Sequence, residues 1–332
     1  MENLFKINID KLRLCFVGPN SLAVKLENRN ELNLKDFKLT KTAQTHKGCQ
    51  FKVEIIQRDK VLNIKKLDGL GILRVGGPVD NCPFSKPQNY FWFDYYNKKL
   101  YETPAAQGAQ TKLQALTSAL GITFHKLTYL EIAADSATNY LPSIASALSN
   151  PGLKVFTLGK APDRATQEYR GLNWEVWQSA KGITNTALRL KNKEKTMELY
   201  CYDKAREIGV SGKTYISEAT GLGAKGHWRY ELRLHGPALE PYYQALQTSP
   251  QALFPAGRLA PDLLPGLFQY FSQRLIRAKA YRGSTLSRKA LQFWEFPADS
   301  AFTPLISIGG LNAHNPITTI TLFDSSLITI NL

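Results

Sequence analysis

Two stretches of this chain alternate so strictly that only an extended, half-buried strand accommodates them. Along residues 196–204, Met197, Leu199 and Cys201 interleave with Glu198, Tyr200, Tyr202 and Lys204. Along residues 227–234, Trp228, Tyr230, Leu232 and Leu234 interleave with Arg229, Glu231 and Arg233. Successive side chains of a strand point to opposite faces, so each stretch has one core face and one chemically loaded face. A third stretch, residues 127–133, is apolar and strand-like. If its extended geometry continues to Asp135, it places Glu131, Ala133 and Asp135 on one face.

The rest of the pattern surrounds these strands with more sheet and some helix. The first 95 residues read mostly as strands, with alternation over 7–16, a hairpin over 51–66 turning at Arg58, Asp59 and Lys60, and further strands at 71–76 and 90–95. Residues 106–120 have helical spacing closed by Gly121. Beyond 124 the expected order is a strand, a helix over 137–148, and strands at 155–158, 174–177 and 186–190 before the two alternating stretches. The Gly-, Ser- and Lys-rich residues 209–226 read as a loop, and helices are expected over 242–247 and 263–280. The β-branched tail, 305–332, reads as terminal strands. Without a βαβα rhythm the fold class is α+β, a largely antiparallel central sheet with flanking helices.

The formal net charge over 332 residues is +15, a surplus that draws polyanions, nucleic acid first and an anionic membrane surface second. No run of about 18 apolar residues and no export signal is visible, so no membrane partner is expected. Cys15, Cys49, Cys82 and Cys201 stand singly without metal-type spacing, consistent with a reducing cytoplasm and no zinc site. Gly221, Gly223 and Gly226 spell a dinucleotide fingerprint, but a strand follows where a helix is required. Gly212, Lys213 and Thr214 end like a phosphate loop whose first glycine would fall at Glu207. Neither string supports nucleotide binding.

If the three polar faces share one sheet, Glu131, Asp135 and Glu231 would supply oxygen ligands for one divalent metal, magnesium or manganese. Such an ion polarises a phosphodiester. Tyrosine has a free pKa near 10, so its attack on phosphorus needs a metal or an ammonium such as that of Lys204 beside it. Tyr200 shares a face with Tyr202 and is an equal candidate on geometry alone. Arg189, Lys191, Lys193 and Lys195, on a hairpin before the tyrosine strand, suit phosphate contacts. A second basic run spans Arg274 to Lys289, and Trp174, Trp177 and Trp228 are candidates for stacking on bases.

Tyr202, Asp203 and Lys204 with Glu207, followed by Arg229, Tyr230, Glu231, Leu232 and Arg233, resemble the paired signature of rolling-circle replication initiators. The similar families are the Rep_trans plasmid initiators and the filamentous-phage replication initiation proteins. The resemblance covers roughly residues 124–240 and includes the upstream strand with Glu131 and Asp135, where those families usually begin with aspartate. It implies a replication-initiator nuclease-like core that nicks one DNA strand, leaving a 5′-phosphotyrosine and a 3′-hydroxyl primer. Tyr202 would be the nucleophile, Tyr200 its alternative, and Lys204 a charge-stabilising neighbour. Glu131, Asp135 and Glu231 would hold the metal, and Arg229 and Arg233 would lie at the DNA. There is no His-x-His pair, so the histidine-metal site of other rolling-circle nucleases is not expected. The expected division is a β-rich half (1–123), the nicking core (124–240) and a helical region with terminal strands (241–332). The expected partner is single-stranded or melted origin DNA, with room for a host helicase, a polymerase and a homodimer. A non-enzymatic DNA-binding regulator and a metal-dependent phosphoesterase using water are the competing readings.

Overall fold

Antiparallel hairpins, laid side by side and padded by short helices, make up the α+β architecture of this protein. The computed structural model describes residues 5–45, 48–59, 64–79, 87–142, 144–145, 153–156, 173–178, 185–192, 194–223, 226–246, 248–275, 277–282 and 285–286. The first half runs β1 (Lys6–Pro19), α1 (Asn20–Glu27), β2 (Glu31–Asn33), β3 (Phe37–Thr45), β4 (Gly48–Asp59), β5 (Ile64–Pro78) and β6 (Gln88–Tyr95). Then come α2 (Asn97–Tyr101), α3 (Gln107–Leu120), β7 (Thr123–Ser136), β8 (Leu153–Phe156), β9 (Asn173–Gln178), β10 (Asn185–Lys191) and β11 (Met197–Asp203). The remainder is α4 (Lys204–Ser211), α5 (Thr214–Thr220), β12 (Trp228–His235), α6 (Gly236–Ala245), α7 (Pro250–Leu253), α8 (Leu263–Leu275), β13 (Arg277–Arg282) and β14 (Thr285–Leu286). No helix among the described residues is long and apolar enough to cross a membrane.

The chain forms two compact units, and the boundary falls inside β7 between Leu130 and Glu131. One, here the N unit, comprises Asn8–Leu130 with Gln247–Pro261; the other, the C unit, comprises Met1–Ile7, Glu131–Leu246 and Asp262–Leu332. The expected boundary at 123/124 therefore lies slightly early, and the expected third region, 241–332, is divided between the two units.

In the N unit the strand order is β2-β3-β4-β5-β6-β1-β7. Alternation in β6 sends Phe91 and Phe93 fully inward, where they meet the buried faces of β1 and β5 through Leu14, Phe16, Leu73 and Val75. On α3, Ala109, Leu113, Leu116 and Leu120 form the apolar stripe that a core-facing helix requires. Gly121 ends α3 at φ 67°, the left-handed conformation that glycine adopts without Cβ strain. Gln110, also buried, donates to the Leu259 carbonyl and accepts from its N–H, which ties residues 247–261 to this unit.

In the C unit the order is β7-β12-β11-β10-β9, with a small second sheet ordered β14-β13-β8. Leu188, Leu190, Leu199, Cys201, Leu232 and Leu234 are fully buried on the apolar side, and α8 packs against β11 and β12 through its own buried stripe, which includes Leu267, Phe268 and Phe271. Burying each such leucine contributes about 2 kcal/mol.

Two expectations fail. The helix expected over 263–280 stops at Leu275, and Arg277–Arg282 is a strand paired with β8. The loop expected over 209–226 contains the end of α4 and all of α5. The tail at 305–332, expected as strands, lies outside the described residues.

Candidate active site

Register decides which side chains meet. In the antiparallel pair β11–β12, Glu198 faces Arg233, Tyr200 faces Glu231 and Tyr202 faces Arg229. On the other side of β11, Arg189 of β10 faces Tyr200 and Lys191 faces Glu198. Directly opposed residues project from the same face of a sheet. The loaded faces anticipated for β11 and β12 therefore coincide, and β7 joins them through two carboxylates.

The first of these, Asp135, meets Arg229. Arg229 Nε donates to Asp135 Oδ1 at 2.7 Å and Nη2 donates to Oδ2 at 2.8 Å, and both side chains are 0% exposed. His227, also buried, brings Nε2 to 3.0 Å from Oδ1 without hydrogen-bond alignment. Burial alone would raise the Asp135 carboxyl, but Arg229 and the neighbouring His227 ring outweigh it and hold it below the ordinary carboxylate range. Asp135, expected as a metal ligand, thus meets the Arg229 guanidinium through both oxygens, and Arg229, expected at a phosphate, is buried inside the C unit.

The second carboxylate, Glu131, stays with the site. One of its oxygens lies within 4.8 Å of an oxygen of Glu231 on β12. Arg233 holds the group together, with Nη2 at 2.6 Å from Glu231 Oε1, Nη1 at 2.9 Å from Glu198 Oε1 and Nε at 3.7 Å from Glu131 Oε1. Burial would lower the Arg233 guanidinium, yet Glu231, Glu131 and Glu198 reverse this and push it above its ordinary range. Arg189 grips the far oxygen of Glu198 at 2.8 Å. Arg233 and Arg189, expected as DNA contacts, thus each face a carboxylate within the sheet.

Tyr202 closes the cluster. Its Oη donates to Glu231 Oε2 at 3.0 Å and accepts from Lys204 Nζ at 3.4 Å. Tyr200 stacks on it at 4.8 Å between ring centroids and an interplanar angle of 28°. The Arg233 guanidinium lies 5.3 Å from the Tyr200 centroid, so Tyr200 is held between a cation and a ring.

Lys204 reaches Tyr202 by a route that strand alternation did not foresee. β11 ends at Asp203, whose side chain accepts from Arg206 N–H and so caps α4, making Lys204 the first helical residue. Lys204 is 2% exposed and pairs with Glu207 at 2.6 Å, one helical turn on. Burial would raise the Glu207 carboxyl, but Lys204, Ser211 and Lys213 overcome this and lower it. Removing the cap with Asp203→Ala should cost about 1 kcal/mol and loosen Lys204, measured as a lower urea midpoint with unchanged far-ultraviolet dichroism.

The remaining basic residues are dispersed. Lys191 is half-buried on β10, and Lys195 is exposed in the β10–β11 turn at φ 54°. Asn192 organises that turn by accepting from Thr196 and Met197 N–H. Lys193, Arg288 and Lys289 lie outside the described residues, as do the side chains of Trp174, Trp177, Arg277, Lys279 and Arg282. Arg274 lies over the Tyr270 ring at 5.2 Å, and Trp228 is half-buried at the head of β12. Glu198 had no assigned role in the sequence reading. Its place two residues before Tyr200 on the same face was the available signal.

No family model and no curated protein matches the chain. Among solved structures, it is similar to the rolling circle replication initiator protein from Geobacillus stearothermophilus. That match has 12% identity and a TM-score of 0.40, covering 86% of this chain and 93% of the other.

Proposed function

We propose that the protein nicks single-stranded DNA through Tyr202 to initiate rolling-circle replication. The observation that carries this reading is the Tyr202 hydroxyl, placed between a carboxylate acceptor, Glu231, and an ammonium donor, Lys204. The motif resemblance of the two strands supports the same chemistry. The phenol proton passes to Glu231 Oε2 as Oη forms a bond to phosphorus and the P–O3′ bond breaks. The departing O3′ takes a proton from solvent and becomes the primer hydroxyl, while the 5′-phosphate stays on Tyr202. Lys204 offsets the negative charge that develops on Oη and the phosphoryl oxygens. Tyr200 acts as a positioning residue, fixing the Tyr202 ring through the stack.

Glu131 and Glu231 present buried carboxylate oxygens side by side from neighbouring strands, a donor set that suits magnesium or manganese. Bound there, the ion would polarise the scissile phosphodiester and neutralise charge on its oxygens.

The test uses the full chain with a randomised single-stranded DNA library and magnesium or manganese, capturing SDS-resistant adducts and sequencing the trapped strands. A recurrent trapped sequence supports the reading and supplies the origin site. Cleavage without adduct replaces it with a water-using phosphoesterase, and salt-sensitive binding without cleavage replaces it with a DNA-binding regulator. On the selected sequence, Glu231→Gln should slow adduct formation about 10²- to 10⁴-fold, the range for losing a positioned proton acceptor. An unchanged single-turnover rate would remove Glu231 from that role.

A further inference from the structure

A row of aromatic side chains lies on the face of the N-unit sheet opposite its core. Tyr90 and Trp92 alternate with the buried Phe91 and Phe93 of β6 and remain half-buried on the outer side. Their ring centroids are 5.7 Å apart, and His125 of β7 extends the row at 5.8 Å from Tyr90. Burial and Lys126 lower the pKa of His125, which favours a neutral, stackable ring near pH 7.

Gly76 on β5 shows how the row is built. A Cβ there would lie 2.0 Å from Trp92 Cζ3, so the indole occupies the space a side chain would fill. Trp92 itself stays half-buried on this outer side of the sheet. Beside Trp92, Arg74 is its cross-strand partner on β5 and Arg13 faces Asp94 from β1. Asp94 anchors both guanidiniums, at 2.5 Å to Arg13 Nε and 3.0 Å to Arg74 Nη2, while 33% and 43% of those side chains stay exposed. One carboxylate between two cations leaves a positive edge next to the rings.

Rings in a row with cations at their border match the chemistry of unpaired nucleotides, bases stacking on π-faces and phosphates meeting guanidiniums. The geometry points to a stacking platform for single-stranded DNA on this face, formed by Trp92, Tyr90 and His125 with Arg74 and Arg13 at its edge. The choice of DNA over RNA rests on the proposed function; the platform itself is independent of cleavage.

The experiment measures binding of fluorescein-labelled oligo(dT) to the full-length Tyr202→Phe protein with EDTA present, so covalent capture contributes nothing. Adding Trp92→Leu, which keeps apolar cover but has no π-face, should weaken binding roughly ten- to one-hundred-fold, as expected for losing one or two stacked bases. Trp92→Phe should stay within about three-fold of the parent, and Gly76→Val, which evicts the indole, should behave like Trp92→Leu. Thermal midpoints of all three, followed by dichroism, establish that the sheet is intact. Unchanged affinity in Trp92→Leu overturns the platform, as does an intact Gly76→Val protein that binds like the parent. Ten-fold tighter binding of oligo(U) assigns the face to RNA and overturns the DNA proposal. An active nickase with an indifferent Trp92 sinks only the platform, and an inactive protein with a sensitive Trp92 sinks only the nicking reading.

Discussion

Tyr202→Phe is expected to abolish the SDS-resistant DNA adduct and lower nicking of a selected single-stranded site by on the order of a thousand-fold or more, because it removes the oxygen held between Glu231 and Lys204. The substitution removes one oxygen and leaves the ring, so the 4.8 Å stack on Tyr200 should persist and stability should change little. Tyr200→Phe keeps both rings and should retain the adduct within about ten-fold. Tyr200→Ala should cost more, since it releases the Tyr202 ring from its stacked partner. The adduct is read by gel mobility after denaturation and by mass spectrometry of the DNA-linked tyrosyl peptide. A phosphotyrosyl peptide containing modified Tyr200, retained in Tyr202→Phe, would move the nucleophile by two residues. Loss of the adduct in Tyr200→Phe alone would do the same.

Asp135→Asn is expected to be the most damaging single change to stability. It leaves the Arg229 guanidinium fully buried without its carboxylate, and breaking a buried pair from one side costs about 3–5 kcal/mol. Joint replacement, Asp135→Leu with Arg229→Met, should recover much of that loss, because neither charge then remains to be solvated. The pH dependence follows from the depressed Asp135 carboxyl. A carboxyl whose folded pKa lies below its unfolded value of about 3.9 stabilises fully above that value. Its contribution fades as pH falls through the lower, folded pKa. Urea midpoints of the parent and Asp135→Asn should therefore differ most at pH 7 and converge as acidification protonates the Asp135 carboxyl, below the ordinary carboxylate range. Equal midpoints at pH 7 would show that the pair contributes nothing.

The parts of the site legible in the sequence were those written in strand alternation. Parity alone placed Tyr200, Tyr202, Glu231 and Arg233 on common faces, and β11 and β12 differ from the expected ranges by one residue at each end. Parity has no information about depth within a face. Asp135 and Arg229 share the loaded side with Glu131 and Arg233, yet they lie where packing excludes water, so charges expected to meet ligands meet each other. Helices α4 and α5 were obscured by glycine content, although Gly212 and Gly221 are themselves their left-handed C-caps at φ 70° and 69°. Asp203 as an N-cap was the other readable mark. α1 and strands β2 and β3 had no clear periodicity, although β3 and β4 pair as a local hairpin, from Thr45 opposite Gly48 out to Phe37 opposite Ile55.

The alternation in β11 also sets what kinds of change the gene encoding this protein can tolerate. Leu199 and Cys201 anchor the strand between Glu198, Tyr200 and Tyr202, so deleting one codon ahead of Tyr202 would turn these anchors outward and drive charged groups into the leucine layer. Substitutions can explore this strand one position at a time, but insertions and deletions cannot pass through it except in pairs. Length variation in this part of the protein should accordingly collect at the β10–β11 turn and beyond Gly212, past the first helix after β11.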